Sequence, residues 1–309
     1  MRRSPNKQIS KPKVALVDAR LLRRWPIPAP PSDGDKEGRG RVLIVGGARQ
    51  LPGAVILAAT AALRAGAGKL RIITTAGVAT PIAVAIPEAF VQAVPEARDG
   101  GFVGRCESKV VPLCLSSHAI VLGPGMIENR ALAPLVLSIL KALTPEHAVV
   151  LDAGALTVLG DHRQRVGKLR CQLVVTPHAG EMAKLLGQDK DAIKGNALAT
   201  VQAVAKELNA ITILKGVETL ISDGTTTYRN VAGNSGLATS GSGDTLAGLI
   251  GGLIARGASA FQAAVWGVHL HARAGDVLAR KLAPLGYLPR ELLREIPALM
   301  AGYGKYKPR

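Results

Sequence analysis

A chain of 309 residues, 48% of them hydrophobic, can bury a large core in one α/β domain or in two smaller ones. The net charge of +17 raises the question of a nucleic-acid partner. Only 3% of residues are aromatic and no nucleic-acid-binding motif accompanies the charge, so the expectation is a basic surface that attracts anionic small molecules, and no nucleic acid. No apolar run reaches membrane-spanning length, and the N-terminal MRRSPNKQISKPK lacks the apolar stretch and cleavage site of a secretory signal. The expectation is a cytoplasmic chain with no membrane partner. Three cysteines, Cys106, Cys114 and Cys171, form no CxxC pair and read as reduced packing residues.

Residues 1–36 are basic and Pro-rich and read as a tail ahead of one domain spanning 37–305. A strand over Arg41–Gly46, a helix over Gly53–Gly66 and a strand over Lys69–Thr75 make a βαβ start. Further apolar strands follow at Ala119–Leu122, Ala148–Asp152, Gln172–Thr176 and Ile211–Lys215, with helices over Asn129–Leu143 and Ala192–Leu208 between them. Two short strands, Thr219–Ser222 and Thr226–Asn230, flank the Asp223-Gly224 turn. Helices then close the chain over Gly243–Arg256, Ala260–Lys281 and Pro289–Met300. Apolar strands separated by helices predict a three-layer α/β/α sandwich around a mainly parallel sheet. Ligands of such sheets bind beyond the carboxyl ends of the strands, where GGARQLPGA, GPG, LDAGAL, TPHAGE and KGVET all fall.

The run Asn234–Asp244, NSGLATSGSGD, carries the most chemistry. Gly236, Gly241 and Gly243 free the backbone of Cβ atoms, and the helix that begins here adds unpaired N–H groups and the positive end of its dipole. A phosphate is the natural ligand of such a turn. Asp244, in the first helical turn, suits a base that deprotonates a hydroxyl lying beside that phosphate. The plain alternative is an ordinary helix cap after a flexible loop.

GSGD opening a Gly/Ala-rich helix resembles the signature of the ribokinase-like superfamily. NSGLATSGSGDTLAGLIGGLIARG together with TPHAGEMAKLLG is more closely similar to the NAD(P)H-hydrate dehydratases, enzymes of nicotinamide-nucleotide repair. GRVLIVGGARQLPGAVILAATAALRAGAGKL, VLGPGM, LDAGAL, LKGVETLI and WGVHLHARAGD extend the resemblance in the same order over roughly residues 37 to 280. The resemblance implies a ribokinase-like fold and the dehydration of the S form of hydrated NADH or NADPH. ADP would be converted to AMP and phosphate, with ATP as the other possible donor. The resemblance further implies that the ring hydroxyl is phosphorylated, which would make it a leaving group for the elimination.

The resemblance assigns Asp244 as the base, and Ala54, Gly125, His178 and Asp244 as contacts of the hydrated dinucleotide. It assigns Lys215, Gly216, Val217, Glu218, Thr219, Asn234, Gly241, Ser242 and Gly243 to ADP or AMP. Read on its own, His178 is a polar group at a strand end, and Lys215 a strand lysine that could reach solvent by its stem. Glu181 is placed either at Mg²⁺ around the nucleotide phosphates or simply at the cap of the helix that begins there. Many relatives carry a second acid where this chain has Gly154, which leaves Asp152 as a substrate or supporting contact rather than part of a metal loop. A homotetramer is implied, as is a separate NAD(P)H-hydrate epimerase acting on the two hydrate forms, because only a short tail precedes the first strand.

GGARQLPGA lacks the G-x-G-x-x-G spacing, so no redox dinucleotide fold is expected. His269 and His271, two apart in a helix, do not share a face and do not read as a metal pair. Two rivals remain at this stage: a ribokinase-like kinase of a vitamin precursor, which shares the GSGD turn, and a basic nucleotide-sensing or nucleic-acid-binding protein without catalysis.

Overall fold

The computed structural model describes residues 14–29 and 36–303. Ten strands form one sheet: β1 (Val14–Leu16), β2 (Arg41–Val45), β3 (Lys69–Thr75), β4 (Ala89–Val94), β5 (Ala119–Leu122), β6 (Ala148–Leu151), β7 (Gln172–Val175), β8 (Ala210–Leu214), β9 (Thr219–Ser222) and β10 (Thr227–Asn230). Their order is β1-β10-β9-β8-β7-β6-β5-β2-β3-β4. From β8 to β4 every pair is parallel; β9 runs against both β8 and β10, and β1 joins β10 in parallel.

The unbroken apolar strands follow from burial on both faces. In β2, Val42 and Ile44 belong to one core while Leu43 and Val45 belong to the other. Val121 and Val150 face the first core, Leu122 and Leu151 the second. Helices Pro52–Arg64, Ser242–Ala255, Ala260–Lys281 and Pro289–Tyr303 cover the first face. Helices Glu107–Leu115, Leu132–Ala142, Leu159–Val166 and Ala197–Leu208 cover the second. This is the expected mainly parallel three-layer sandwich. Each fully buried Leu, Ile or Val contributes on the order of 1.5–3 kcal/mol, so the two cores carry the fold. Among the described residues no helix is long and apolar enough to cross a membrane.

The structure adds elements that the sequence reading did not see. Within the stretch read as a tail, Val14–Leu16 pairs with Thr227–Arg229, and helix Ala19–Arg24 buries Leu22 completely. Asp18 caps that helix by accepting from Leu21 N at 2.7 Å. Trp266 Nε1 then donates to Trp25 O at 2.8 Å and anchors the segment on the first face. β4 is an edge strand whose Phe90 is exposed, so it lacks the all-apolar look of the central strands. The expected helix Ala192–Leu208 is two helices, Lys190–Gly195 and Ala197–Leu208, broken at Asn196. The three cysteines are free and buried; burial pushes Cys114 up to about 12 and Cys106 and Cys171 to about 11, which leaves them protonated packing groups.

Candidate active site

The carboxyl ends of β5 to β8 converge on the start of helix Ser242–Ala255. That helix opens at Gly241, whose φ of +89° lies in the left-handed region. A Cβ at Gly241 would also stand 2.5 Å from Leu57 Cδ1. The helical ladder begins with Thr245 N donating to Gly241 O at 3.1 Å, so the N–H groups of Gly243 and Asp244 precede it. Opposite the turn, Asp152 follows β6, is 2% exposed, and is fixed by its own N–H bonding to Leu122 O at 3.1 Å.

Lys215 is the hub. It follows β8, where its N–H donates to Pro177 O at 2.9 Å. Its Nζ lies 3.3 Å from Asp152 Oδ1 and 3.7 Å from Glu181 Oε2. Thr176 Oγ1 donates to the same Asp152 oxygen. A Cβ at Gly243 would sit 3.3 Å from Lys215 Nζ and 3.5 Å from Asp152 Oδ2, so the missing side chain keeps the turn against the charged pair. Between Asp152 and Gly154, Ala153 adopts φ +47°, a conformation that L residues hold only under constraint and that clusters at functional sites. Gly154 has no room for a side chain in this backbone: a Cβ on it would stand 2.4 Å from Met126 O.

These contacts set the charges. Burial, then the neighbouring Asp152 and to a smaller degree Glu181, push Asp244 up to about 6, with Lys215 and the local backbone pulling the other way. For Lys215, burial works against the ammonium, but Asp152, Glu181 and Asp244 outweigh it and raise its pKa. Lys215 therefore stays cationic among three carboxylates, while Asp244 changes charge close to neutral pH. A carboxyl tuned in this way is suited to take up a proton and release it again.

His178 and Glu181 form a capping box at helix Ala179–Leu186. His178 Nδ1 accepts from Gly180 N at 3.0 Å and Glu181 N at 3.2 Å, and Glu181 Oε2 accepts from His178 N at 2.8 Å. Glu181 thus caps the helix, as one of its two readings had it, and the same carboxylate faces Lys215. Because Nδ1 is an acceptor, the neutral ring carries its proton on Nε2, and the side chain is 57% exposed and able to donate to a ligand.

The remaining expected residues divide into groups. Ala54 and Gly125 meet beyond β2 and β5: Gly125 has φ +66°, and a Cβ on it would stand 3.1 Å from Ala54 Cβ and 2.4 Å from Leu51 O. Gly216, Val217 and Glu218 form an exposed loop, and Thr219 opens β9. Asn234 is turned inward, where its Oδ1 accepts from Gly236 N at 3.0 Å and from Tyr287 OH at 2.7 Å. Asp152, left open by the sequence, sits at the centre; its place after a parallel strand was the available signal. His269 and His271, two apart, do not read as a metal pair in the sequence, and the structure gives His271 a different neighbour. Its ring instead meets Ser242 Oγ at 3.2 Å, a contact across 29 residues that no spacing rule reveals.

A parallel three-layer fold with a glycine turn and a tuned carboxylate at the start of a helix defines a ribokinase-like nucleotide-dependent enzyme. The comparisons narrow this. The chain belongs to the NAD(P)H-hydrate dehydratase family, whose profile matches residues 42–298. It is 44% identical, over 94% of its length and 97% of the relative's, to the ADP-dependent (S)-NAD(P)H-hydrate dehydratase of Xanthomonas campestris pv. campestris. It is 36% identical, over 90% of its length, to a bifunctional NAD(P)H-hydrate repair enzyme of Moorella thermoacetica, and spans about half of that protein (52%). The structure of the ADP/ATP-dependent NAD(P)H-hydrate dehydratase from Bacillus subtilis, co-crystallised with ATP and Mg²⁺, superposes with a TM-score of 0.82. That match has 27% identity and covers 94% of this chain and 99% of the other.

Proposed function

We infer that this protein is an ADP-dependent lyase that dehydrates the S form of NAD(P)H hydrate to NAD(P)H, with ADP converted to AMP and phosphate. The observation that carries the chemistry is Asp244, a carboxyl poised near pH 6 in the first turn of a helix whose N–H groups face the same space. Asp244 takes the proton from the hydroxyl of the hydrated ring as that oxygen attacks the terminal phosphoryl group of ADP, and AMP leaves. Phosphate then departs from this ester with the C–O bonding electrons, and loss of a proton from the adjacent carbon restores the ring double bond.

The helix terminus and Lys215 offset the charge of the moving phosphoryl group. The exposed Gly216–Glu218 loop, with Thr219, Asn234 and the Gly241–Gly243 turn, provides the ADP side of the site. His178, through Nε2–H, with Ala54 and Gly125, provides the hydrate side. The site's donors are carboxylate oxygens, which suit a hard cation that keeps most of its ligands from phosphate and water. Glu181 would be the residue to hold a Mg²⁺ that arrives with the nucleotide, and the ion would supply charge neutralisation on the phosphates. The same reading places the enzyme in the cytoplasm as a homotetramer, with an NAD(P)H-hydrate epimerase as its pathway partner.

The test is direct. Purified protein mixed with hydrated NADH and ADP should restore the nicotinamide absorbance and release AMP and phosphate in equal amounts. A stable phosphorylated product would mark a kinase instead, and no recovery with either ADP or ATP would refute the assignment.

A further inference from the structure

We propose that His271 is a positioning residue of this site: it donates from Nε2 to Ser242 Oγ and so aims the Ser242 hydroxyl proton at a phosphate oxygen held by the turn. The proposal rests on the reading of that turn as the nucleotide site. Helix Ala260–Lys281 carries two histidines with different surroundings. His269 is saturated within the fold, with Nδ1 at 3.1 Å from Asn230 Oδ1 and Nε2 at 2.8 Å from Tyr303 OH. His271, two residues on, points to the turn, with Nε2 at 3.2 Å from Ser242 Oγ. Ser242 itself is 6% exposed. Its backbone is already committed: its N–H donates to Thr239 O at 3.2 Å, and its carbonyl accepts from Thr245 Oγ1 at 2.7 Å.

A hydroxyl has one proton and two lone pairs. If the ring nitrogen accepted, it would consume the one proton and turn an oxygen lone pair toward the anion. With the ring as donor, the hydroxyl proton is free to point outward, and each bond of the relay polarises the next. Burial holds His271 down at about 4; a contact with the Ser242 backbone works against this and the Lys215 charge with it, so the ring stays neutral and can carry its single proton on Nε2. The same helix holds the other end of the segment: Asp276 accepts from Gly233 N at 3.3 Å and from Asn234 Nδ2 at 3.4 Å, and Arg273 pairs with it at 3.1 Å.

The experiment measures ADP affinity by calorimetry, and kcat and the KM for ADP by turnover. The variants are His271→Leu, His271→Gln, Ser242→Ala and the Leu/Ala double mutant, each checked for its melting temperature. A charge-assisted hydrogen bond sets the scale, so His271→Leu and Ser242→Ala should each weaken ADP binding roughly tenfold. The double mutant should be no weaker than Ser242→Ala alone. Gln, whose amide nitrogen reaches as far as Nε2, should recover most of the loss. If Leu unfolds the protein, His271→Asn keeps the site polar but falls short of Ser242, and should lose affinity as Leu would.

Losses that multiply in the double mutant, a Gln variant as weak as Leu or Asn, or unchanged affinity without His271 would each overturn the relay. Because calorimetry needs no hydrate, a wild type that binds ADP but does not dehydrate would sink the functional reading while the relay is still judged on binding.

Discussion

On one face of the sheet, helix Ser242–Ala255 lies so close to helix Pro52–Arg64 that a Cβ at Gly248 would stand 2.0 Å from Ala58 O, and one at Gly252 would stand 2.4 Å from Ala62 O. On the other face, helix Leu132–Ala142 meets the sheet through Leu135, Val136, Ile139 and Leu140, all fully buried. The first layer is packed backbone against backbone; the second is packed through branched side chains. Side chains can change rotamer and shift to absorb a change, whereas two backbones in contact cannot. The layer with the closer contact is the one whose helix presents Asp244 and the Gly241 turn. The difference suggests that close packing serves placement of the site as well as stability.

The largest expected effect is at the head of the close-packed helix. Asp244→Asn should lower turnover about 1,000-fold with ADP binding retained, as expected for loss of a general base; a variant within tenfold of wild type would remove Asp244 from the chemistry. Next, Gly248→Ala and Leu135→Ala should each cost about 3 kcal/mol in denaturant unfolding, one by overpacking and one by leaving a cavity. Only Gly248→Ala should also lower kcat of the folded fraction, because of these two helices only Ser242–Ala255 begins at the turn. Equal kcat effects from the two faces would break the comparison.

A smaller effect concerns the cost of the tuned carboxyl. Its pKa is raised from 3.8 to about 6 in the folded state, so its ionisation opposes folding fully above pH 6 and not at all below pH 3.8. Asp244→Asn should therefore stabilise the protein by about 3 kcal/mol at pH 7, with the gain vanishing as the pH falls through that window. Parallel melting curves at pH 7 and pH 4 would show it. Last, kcat/KM should fall about tenfold per pH unit below pH 6, as Asp244 takes up its proton and ceases to be a base. A profile flat down to pH 5 would place the working ionisation elsewhere.

The central strands were legible because burial on both faces leaves runs such as VLIV, AIVL and AVVL without polar interruption. β1 and β4 were not, since a three-residue edge strand in charged sequence and an edge strand with an exposed Phe90 leave no such pattern. The break at Asn196 was missed because apolar periodicity continues on both sides of it. In the site, the glycines and Asp244 could be read locally, because phosphate turns are contiguous in sequence. The Lys215–Asp152 pair spans 63 residues and the Ser242–His271 contact spans 29, and neither distance is encoded in local spacing. Gly154 could be noted only as a departure; the approach of Met126 O to it belongs to the fold.

The segment from Asn234 to Asp244 is mostly irregular, yet both of its ends are tied to a single long helix, through Asp276 at one end and His271 at the other. A loop pinned at two points of one rigid rod has already lost much of the freedom that a ligand would otherwise have to remove. Its ordering was met when the chain folded, so a nucleotide arriving at the turn can put its contacts into affinity and alignment. The turn and the helix should accordingly open together or not at all, behaving in amide exchange as one cooperative unit.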